Sequence, residues 1–187
     1  YKREDGITMQ DASRCIGCRS CMVACPYGVR TFNWFDSKKR WPSPMEQSIN
    51  PDQPLRPKGV VEKCLFNKHR LDRLKRDLKE GKAPQTIVER LNGKYRPGAD
   101  VSDAVWSEAI DIVMRYNFEN QATPENFDPK MVAYIPACVQ VCPAKALVFG
   151  DIANPKSLVA GLADTPRAFR LLEEIGTHPA VIYLKEG

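Results

Sequence analysis

The chemistry available to this sequence lies in its seven cysteines, four of which fall within residues 15–25. Thiolates are soft ligands for iron, zinc and copper, so crowded thiols indicate metal binding. A disulfide framework would instead use an even number of cysteines spread along the chain. The sequence therefore predicts a metal centre. Its candidate ligands are Cys15, Cys18, Cys21, Cys25, Cys64, Cys138 and Cys142.

The first four cysteines follow the spacing C-x2-C-x2-C-x3-C-P, which ends at Pro26. Two-residue gaps turn the backbone tightly enough for three thiolates to converge on a cubane iron–sulfur cluster, while the fourth cysteine points to a second cluster. Gly17 lets the loop pass close to the cluster because glycine has no Cβ. A zinc site is the alternative that this spacing disfavours, because zinc sites use separated C-x2-4-C pairs.

A second, incomplete copy of the motif lies downstream. It begins at Cys64 and ends with Cys138 and Cys142, again in a C-x3-C-P pattern. A complete copy would have a cysteine where this chain has Asn67. Because an amide oxygen is a weak ligand for iron among sulfides, we expect the corner facing Asn67 to lack iron, leaving a [3Fe–4S] cluster. The alternative is a [4Fe–4S] cluster whose fourth iron binds water, Asn67 or His69.

These motifs resemble the third and fourth cysteine motifs of the ferredoxin-like iron–sulfur subunits in the complex iron–sulfur molybdoenzyme family, which includes dimethyl sulfoxide and polysulfide reductases. The likeness covers roughly residues 6–70 and 134–184. Within that family the sequence most resembles the iron–sulfur portion of the large subunit of alternative complex III, and residues 1–6 and 56–63 carry that likeness. The resemblance implies [4Fe–4S] clusters and agrees with one [3Fe–4S] cluster.

The resemblance also implies a function. The chain would relay electrons within a membrane-bound oxidoreductase, from a quinone-binding helical membrane subunit that oxidises quinol towards a multihaem cytochrome c or another terminal partner. It would be a peripheral subunit, attached to the membrane through its partners and on the periplasmic side. A diffusible two-cluster ferredoxin and a zinc-stabilised interaction module are the alternative functions.

The family's first two cysteine motifs are absent. We therefore expect the chain to be the C-terminal part of a longer polypeptide, or to pair with another chain that supplies those motifs, and the start at Tyr1 agrees with a fragment. In the family, motif three shares a cluster with motif two, and motif four with motif one. If the chain is complete, Cys142 would join Cys15, Cys18 and Cys21, while Cys25 would join Cys64 and Cys138.

Composition argues against several other functions. The net charge of +5 is mild for 187 residues, so nucleic-acid binding is not expected. No apolar run reaches the roughly 18 residues that a membrane-spanning helix needs. We find no nucleophile–base pair, phosphate-binding loop or acid pair, and the sequence therefore predicts no substrate-transforming site.

The elements that position the cysteines are predicted to be short. Alternating apolar residues indicate strands at 7–10 and 30–34, around the first cysteine loop. Residues 146–149 are predicted to form the matching strand after the last cysteine. The expected fold class is α+β, with a ferredoxin-like duplicated cluster-binding core of short antiparallel strands. We assign residues 1–70 and 134–155 to this iron–sulfur domain.

Residues 71–133 are predicted to be a helical insertion without cysteines. Helical spacing indicates one helix along Leu71, Leu74 and Leu78, a second after Pro84 and a third from Ser102. We expect these helices to contact another subunit, because their apolar stripes need a surface to cover. The predicted face of the third helix comprises Val105, Ala109, Ile110, Val113 and Met114.

Residues 156–187 are predicted to be a C-terminal helix–strand extension. Thr165 followed by Pro166 predicts the start of a helix, and Gly176 its end. The proline-rich residues 41–57 are expected to form a structured loop or linker. The tryptophans are expected to anchor a core or an interface; they are Trp34, Trp41 and Trp106.

Overall fold

The computed structural model describes residues 1–36, 45, 55–96, 98–120 and 127–186. It divides into two compact units, Tyr1–His69 and Arg70–Gly187. Trp41 and most of the proline-rich residues 41–57 lie outside the described residues. The α+β class with short antiparallel strands is confirmed, since the described chain combines helices with two-stranded sheets.

The first unit consists mainly of turns around one short sheet. Strand β1 (Thr31–Phe32) pairs antiparallel with β2 (Val61–Glu62), so that Phe32 lies opposite Val61. This pairing confirms the centre of the strand predicted at 30–34. The strand predicted at 7–10 is wrong in extent: it is reduced to one bridge between Lys2 and Thr8. A tight turn explains this, because Gly6 has a φ of 81° and the Asp5 carboxylate accepts a hydrogen bond from the Ile7 N–H.

The helices that follow are the main regular elements of the second unit. They are α2 (Lys68–Lys79), which begins at the division between the units, α3 (Gln85–Arg90), α4 (Asp103–Asn120), α5 (Pro129–Val132), α6 (Ala137–Gln140) and α7 (Leu158–Ala163); a single turn, α1 (Ser20–Val23), precedes them in the first unit. Among the described residues, no helix has both the length and the apolar character needed to cross a bilayer.

The three predicted helices of the insertion are confirmed as α2, α3 and α4. Leu71, Leu74 and Leu78 are almost fully buried. Helix α4 packs against α3, α5 and α7 of the same unit, with Ile110 and Met114 buried. Our argument that the stripes need another subunit to cover them is therefore wrong for α4, because helices of its own unit bury its apolar face.

The C-terminal region differs from the predicted helix between Thr165 and Gly176. Strand β3 (Ala168–Phe169) pairs antiparallel with β4 (Tyr183–Leu184), and only a 3₁₀ turn (Glu173–Ile175) is helical there. The Thr165 hydroxyl donates to the Leu162 carbonyl at the end of α7 and so does not cap a following helix. Leu172, with a φ of 54°, would interrupt any helix across this region.

The strand predicted at 146–149 is also wrong. These residues belong to neither of the two sheets in the described chain. Lys145, immediately before them, has a φ of 51°, so the chain turns where an extended segment would have to begin. Within the described chain, the second C-x3-C-P motif is therefore not followed by a strand that matches β1.

Candidate metal centre

The first cysteine loop is formed by three successive turns. A 3₁₀ turn (Ala12–Arg14), capped by the Asp11 carboxylate 2.9 Å from the Ser13 nitrogen, leads into Cys15. Gly17 then reverses the chain with a φ of 74°. Arg19 begins α1 at a φ of 61°, and Cys21 lies within that helix. The two-residue gaps are therefore tight turns, as the spacing predicts.

Gly17 is required for a reason beyond the predicted approach to a cluster. A Cβ at this position would clash with the Gly59 carbonyl oxygen and would lie 3.3 Å from Cε2 of Phe32. The loop therefore packs against the segment that leads into β2 and against β1. This close approach, together with the positive φ, restricts the position to glycine. A sequence alone cannot reveal it, because the neighbours are about 15 and 42 residues away.

Two thiols of the loop accept hydrogen bonds from nearby donors. The Val61 N–H in β2 donates to Sγ of Cys15 at 3.4 Å. The Ser20 hydroxyl, followed by the Ser20 N–H, lowers the pKa of Cys18 by hydrogen bonding to its sulfur. The donors at Cys18 favour its thiolate, which is the form that binds metal.

The C-P ending of the first motif forms a turn around the fourth thiol. The Gly28 N–H donates to the Cys25 carbonyl at 3.2 Å. The Val29 N–H is the largest cause of a lowered pKa at Cys25; the Tyr27 and Gly28 N–H groups and the Arg30 charge add to it. These donors and this charge therefore favour the thiolate form of Cys25.

The second motif begins at the exposed Cys64, whose Sγ accepts a hydrogen bond from the Phe66 N–H at 3.4 Å. Phe66 and Asn67 both have left-handed backbones, with φ values of 51° and 50°. Asparagine is several-fold enriched in this conformation, whereas a phenylalanine there is strained. Asn67 thus has a backbone role that the sequence analysis missed, in addition to its place in the motif.

A cavity of about 260 Å³ adjoins this motif and is lined by Cys64, Asn67, Lys63 and Gln10 among others. Its volume far exceeds the roughly 30 Å³ of one water molecule, so it has room for more than a single ion. Nε2 of Gln10 donates to the Val61 carbonyl, while its buried Oε1 has no hydrogen-bond partner within the described chain. The cavity therefore offers a thiol and a buried acceptor.

Lys63 provides a positive charge at the same cavity. Its Nζ donates to the Cys64 carbonyl at 2.9 Å. Burial is the main cause of a lowered pKa at Lys63; the Arg30 charge adds to the lowering and the Cys64 thiolate opposes it. A cation beside this motif suits an anionic group bound there.

The last two cysteines belong to the second unit. Cys138 lies in α6, and Cys142 follows that helix. The Arg70 guanidinium donates to the Ile135 carbonyl at 3.1 Å and to Oε1 of Gln140 at 2.7 Å, on either side of Cys138. Arg70 thus holds α6 against α2. The sequence does not indicate this role of Arg70, because a contact between residues 65 positions apart leaves no local pattern.

The structure places Cys15, Cys18, Cys21, Cys25 and Cys64 in the first unit and the other two in the second. Within the described ranges, no three His, Cys, Asp or Glu side chains are arranged as ligands of one metal ion. The cysteines nevertheless have the chemistry of iron–sulfur cluster ligands. They are soft thiols on tight turns, and hydrogen-bond donors are directed at several of the sulfurs.

Comparison with known proteins gives the same chemistry. Residues 9–31, which include the first four cysteines, match the 4Fe-4S binding domain family. The chain is 37% identical over 182 residues to the iron–sulfur cluster-binding subunit of a menaquinone reductase from Nitratidesulfovibrio vulgaris, covering 97% of this chain and 54% of that protein.

Two further relatives extend the comparison. An iron–sulfur subunit of an Hdr-like menaquinol oxidoreductase from Archaeoglobus fulgidus is 33% identical, over 100% of this chain and 49% of its own length. The iron–sulfur subunit of a putative dimethyl sulfoxide reductase from Halobacterium salinarum is 29% identical, over 98% of this chain and 46% of its own length. The chain spans about half the length of these curated relatives. It is similar to iron–sulfur subunits of reductases and menaquinol oxidoreductases along nearly all of its own length.

Proposed function

We propose that this chain transfers electrons between redox partners within a membrane-associated oxidoreductase. The observation that supports this most directly is the first cysteine loop, which consists of tight turns and in which hydrogen-bond donors contact the sulfurs of Cys15, Cys18 and Cys25. An iron–sulfur cluster bound there supplies one-electron chemistry. The protein supplies the ligands, their hydrogen bonds and the surrounding charge.

All seven cysteines are the proposed cluster ligands. The 4Fe-4S domain match supports [4Fe–4S] binding by the first motif. The thiol-lined cavity at Cys64 and the placement of Cys138 by Arg70 support a role for the second motif. We retain as proposals the duplicated ferredoxin-like core and the grouping of residues 1–70 with 134–155 in one iron–sulfur domain.

The redox partner is proposed to be a quinone. Two of the relatives are named for menaquinone or menaquinol, which supports a quinone-binding membrane subunit beside this chain. Electrons would pass from quinol to this chain and then to a multihaem cytochrome c, as the resemblance to alternative complex III implies. The periplasmic side and the remaining iron–sulfur motifs, upstream or on another chain, are proposed on the same basis.

Anaerobic quinol reduction of the purified complex tests this function. We expect menaquinol to produce electron paramagnetic resonance signals of reduced clusters, and Cys18→Ser to remove one of these signals while the others persist. The same complex without quinol is the control. Clusters that dithionite reduces but quinol does not would show that quinol is not the donor, and a chain without clusters would refute the proposal altogether.

The cluster of the second motif is proposed to be [3Fe–4S], because Asn67 stands where a fourth thiolate would be. Substituting Asn67→Cys supplies that thiolate, and we expect conversion to a [4Fe–4S] cluster of lower potential, since a thiolate adds negative charge. Quinol-driven turnover should then fall, because electron transfer to this cluster becomes uphill. Electron paramagnetic resonance of the oxidised protein measures the conversion.

Asn67→Ser is the matched control for that substitution. Serine resembles cysteine in size and also replaces asparagine in the left-handed backbone, but it lacks a soft ligand. The [3Fe–4S] signal should persist in this variant. A [4Fe–4S] cluster at this site in the unmodified protein, or identical spectra for the two variants, would contradict the proposed cluster type.

A further inference from the structure

Arg19 has a strained backbone in the turn between Cys18 and Cys21, with a φ of 61°. Bulky residues rarely adopt the left-handed conformation and keep it only where their surroundings hold them there. Arg19 is the N-cap of α1, yet its side chain makes no capping hydrogen bond. Helix capping therefore does not explain why arginine occupies this position.

The guanidinium lies instead against two aromatic rings. Cζ of Arg19 is 5.0 Å from the ring centroid of Trp34 and 5.3 Å from that of Phe32, both within the roughly 6 Å of a cation–π contact. The two rings touch edge to face, with centroids 4.6 Å apart and an interplanar angle of 66°. Phe32 and Trp34 together form an aromatic clamp on Arg19.

The clamp also supports the preceding turn of the loop. Phe32 lies against Gly17, where a Cβ would be 3.3 Å from its ring. Phe32 belongs to β1, which pairs with β2, and Val61 of β2 donates to the Cys15 sulfur. One short sheet therefore contacts the loop at Cys15 and in both of its two-residue gaps.

We propose that Arg19 is a positioning residue for the cluster of Cys15, Cys18 and Cys21. Its contact with the aromatic clamp fixes the second gap of the loop, and its charge raises the reduction potential of the cluster. A nearby cation favours the more negative, reduced form of an anionic cluster. This inference rests on the proposed function, because it requires a cluster at these thiols.

Three variants of the complete complex distinguish the effect of the Arg19 charge from the effect of its contact with the aromatic clamp. Arg19→Gln removes both the charge and the cation–π contact. Trp34→Leu keeps the charge and removes one ring; Trp34 is 55% exposed, so the change does not open a buried core. Arg14→Gln is the matched control, because Arg14 precedes Cys15 but its side chain is 88% exposed and pairs with Asp11.

The two measurements are the midpoint potential, from a redox titration followed by electron paramagnetic resonance, and the rate of iron release to a chelator. We expect Arg19→Gln to shift the reduction equilibrium about threefold towards the oxidised cluster, which is about 30 mV because 59 mV is tenfold for one electron. It should also release iron faster. Trp34→Leu should release iron faster with a smaller shift of potential, and Arg14→Gln should match the unmodified complex.

Equal potentials and equal iron-release rates for Arg19→Gln and Arg14→Gln would overturn this role. So would an Arg19→Gly variant with unmodified behaviour, because glycine relieves the strained φ without restoring the clamp. If Arg19→Gln assembles no cluster, Arg19→Lys and Trp34→Leu test the clamp alone: both keep the charge, and both should release iron faster than Arg14→Gln. An unmodified complex without iron and sulfide would refute the proposed function instead, so the two failures are distinguishable.

Discussion

The helices of the second unit and the cysteine loop of the first are stabilised by different means. In the helices, Leu74, Leu78 and Met114 are completely buried. Burying such a side chain contributes roughly 1.5–3 kcal/mol. Across residues 10–36, by contrast, no side chain is buried, and Ile16 and Val23 are each 89% exposed. The loop therefore has almost no hydrophobic core of its own.

Hydrogen bonds and turns hold the loop instead. Left-handed conformations occur at Gly17, Arg19 and Gly28, and N–H groups are directed at the sulfurs. A typical hydrogen bond contributes only about 0.5–1.5 kcal/mol net, which is little against the entropy of an ordered loop. The difference between the two regions indicates that the helices are stable without metal, while the order of the loop depends on its metal–thiolate bonds.

Iron removal should have the largest effect and should be confined to one region. After anaerobic treatment of the complete protein with a chelator, we expect residues 15–29 to lose their amide protection completely. Helix α4 should keep its protection, because its core contains no metal ligand. Hydrogen–deuterium exchange measures both. Equal loss of protection in α4 and in the loop would contradict the distinction between the regions.

A substitution in the helical core should instead destabilise the helices of the second unit. Leu74→Ala removes a side chain with 0% exposure, and we expect a loss of about 2–5 kcal/mol in the free energy of unfolding. Urea denaturation followed by circular dichroism measures it. The control is Lys75→Ala, whose side chain is 52% exposed and pairs with Asp103 at 3.6 Å, because such surface pairs contribute about 0–1 kcal/mol. Similar losses for both variants would contradict a core at α2.

Gly17→Ala should have a smaller and local effect. The added Cβ meets the Gly59 carbonyl oxygen, so we expect faster iron release from the first motif with little change in the unfolding of the helices. Gly6→Ala is the control, because Gly6 has a similar φ of 81° but no atom within 4 Å of a new Cβ. Iron-release rates that are the same in both variants would show that backbone strain, and not the close approach, explains Gly17.

The helical region could be predicted from the sequence because its pattern is local. Leu71, Leu74 and Leu78 recur at helical spacing, and this stripe alone locates α2. Strands of two residues have no such pattern, and they depend on a distant partner. Strand β2 at Val61–Glu62 was missed, whereas residues 146–149, an apolar run that was predicted to be a strand, belong to neither sheet of the described chain.

In the candidate metal centre, too, the local features could be predicted and the distant contacts could not. Cysteine spacing, which is local, identified the motifs and Gly17. The groups that support the cysteines were not identified, because their partners are distant in the sequence. Arg70 donates to a carbonyl 65 residues away, and the Val61 N–H donates to the sulfur of Cys15, 46 residues away. The role of Trp34 likewise became visible only through its contact with Arg19.

The most direct test of cluster binding is the metal and sulfide content of the purified complex. Iron, zinc and acid-labile sulfide are measured together on protein isolated without oxygen, with the first four cysteines replaced by serine in a control. We predict iron and sulfide in similar amounts, little zinc, and a large loss of both iron and sulfide in the control. Zinc in stoichiometric amount, with neither iron nor sulfide, would contradict the electron-transfer function.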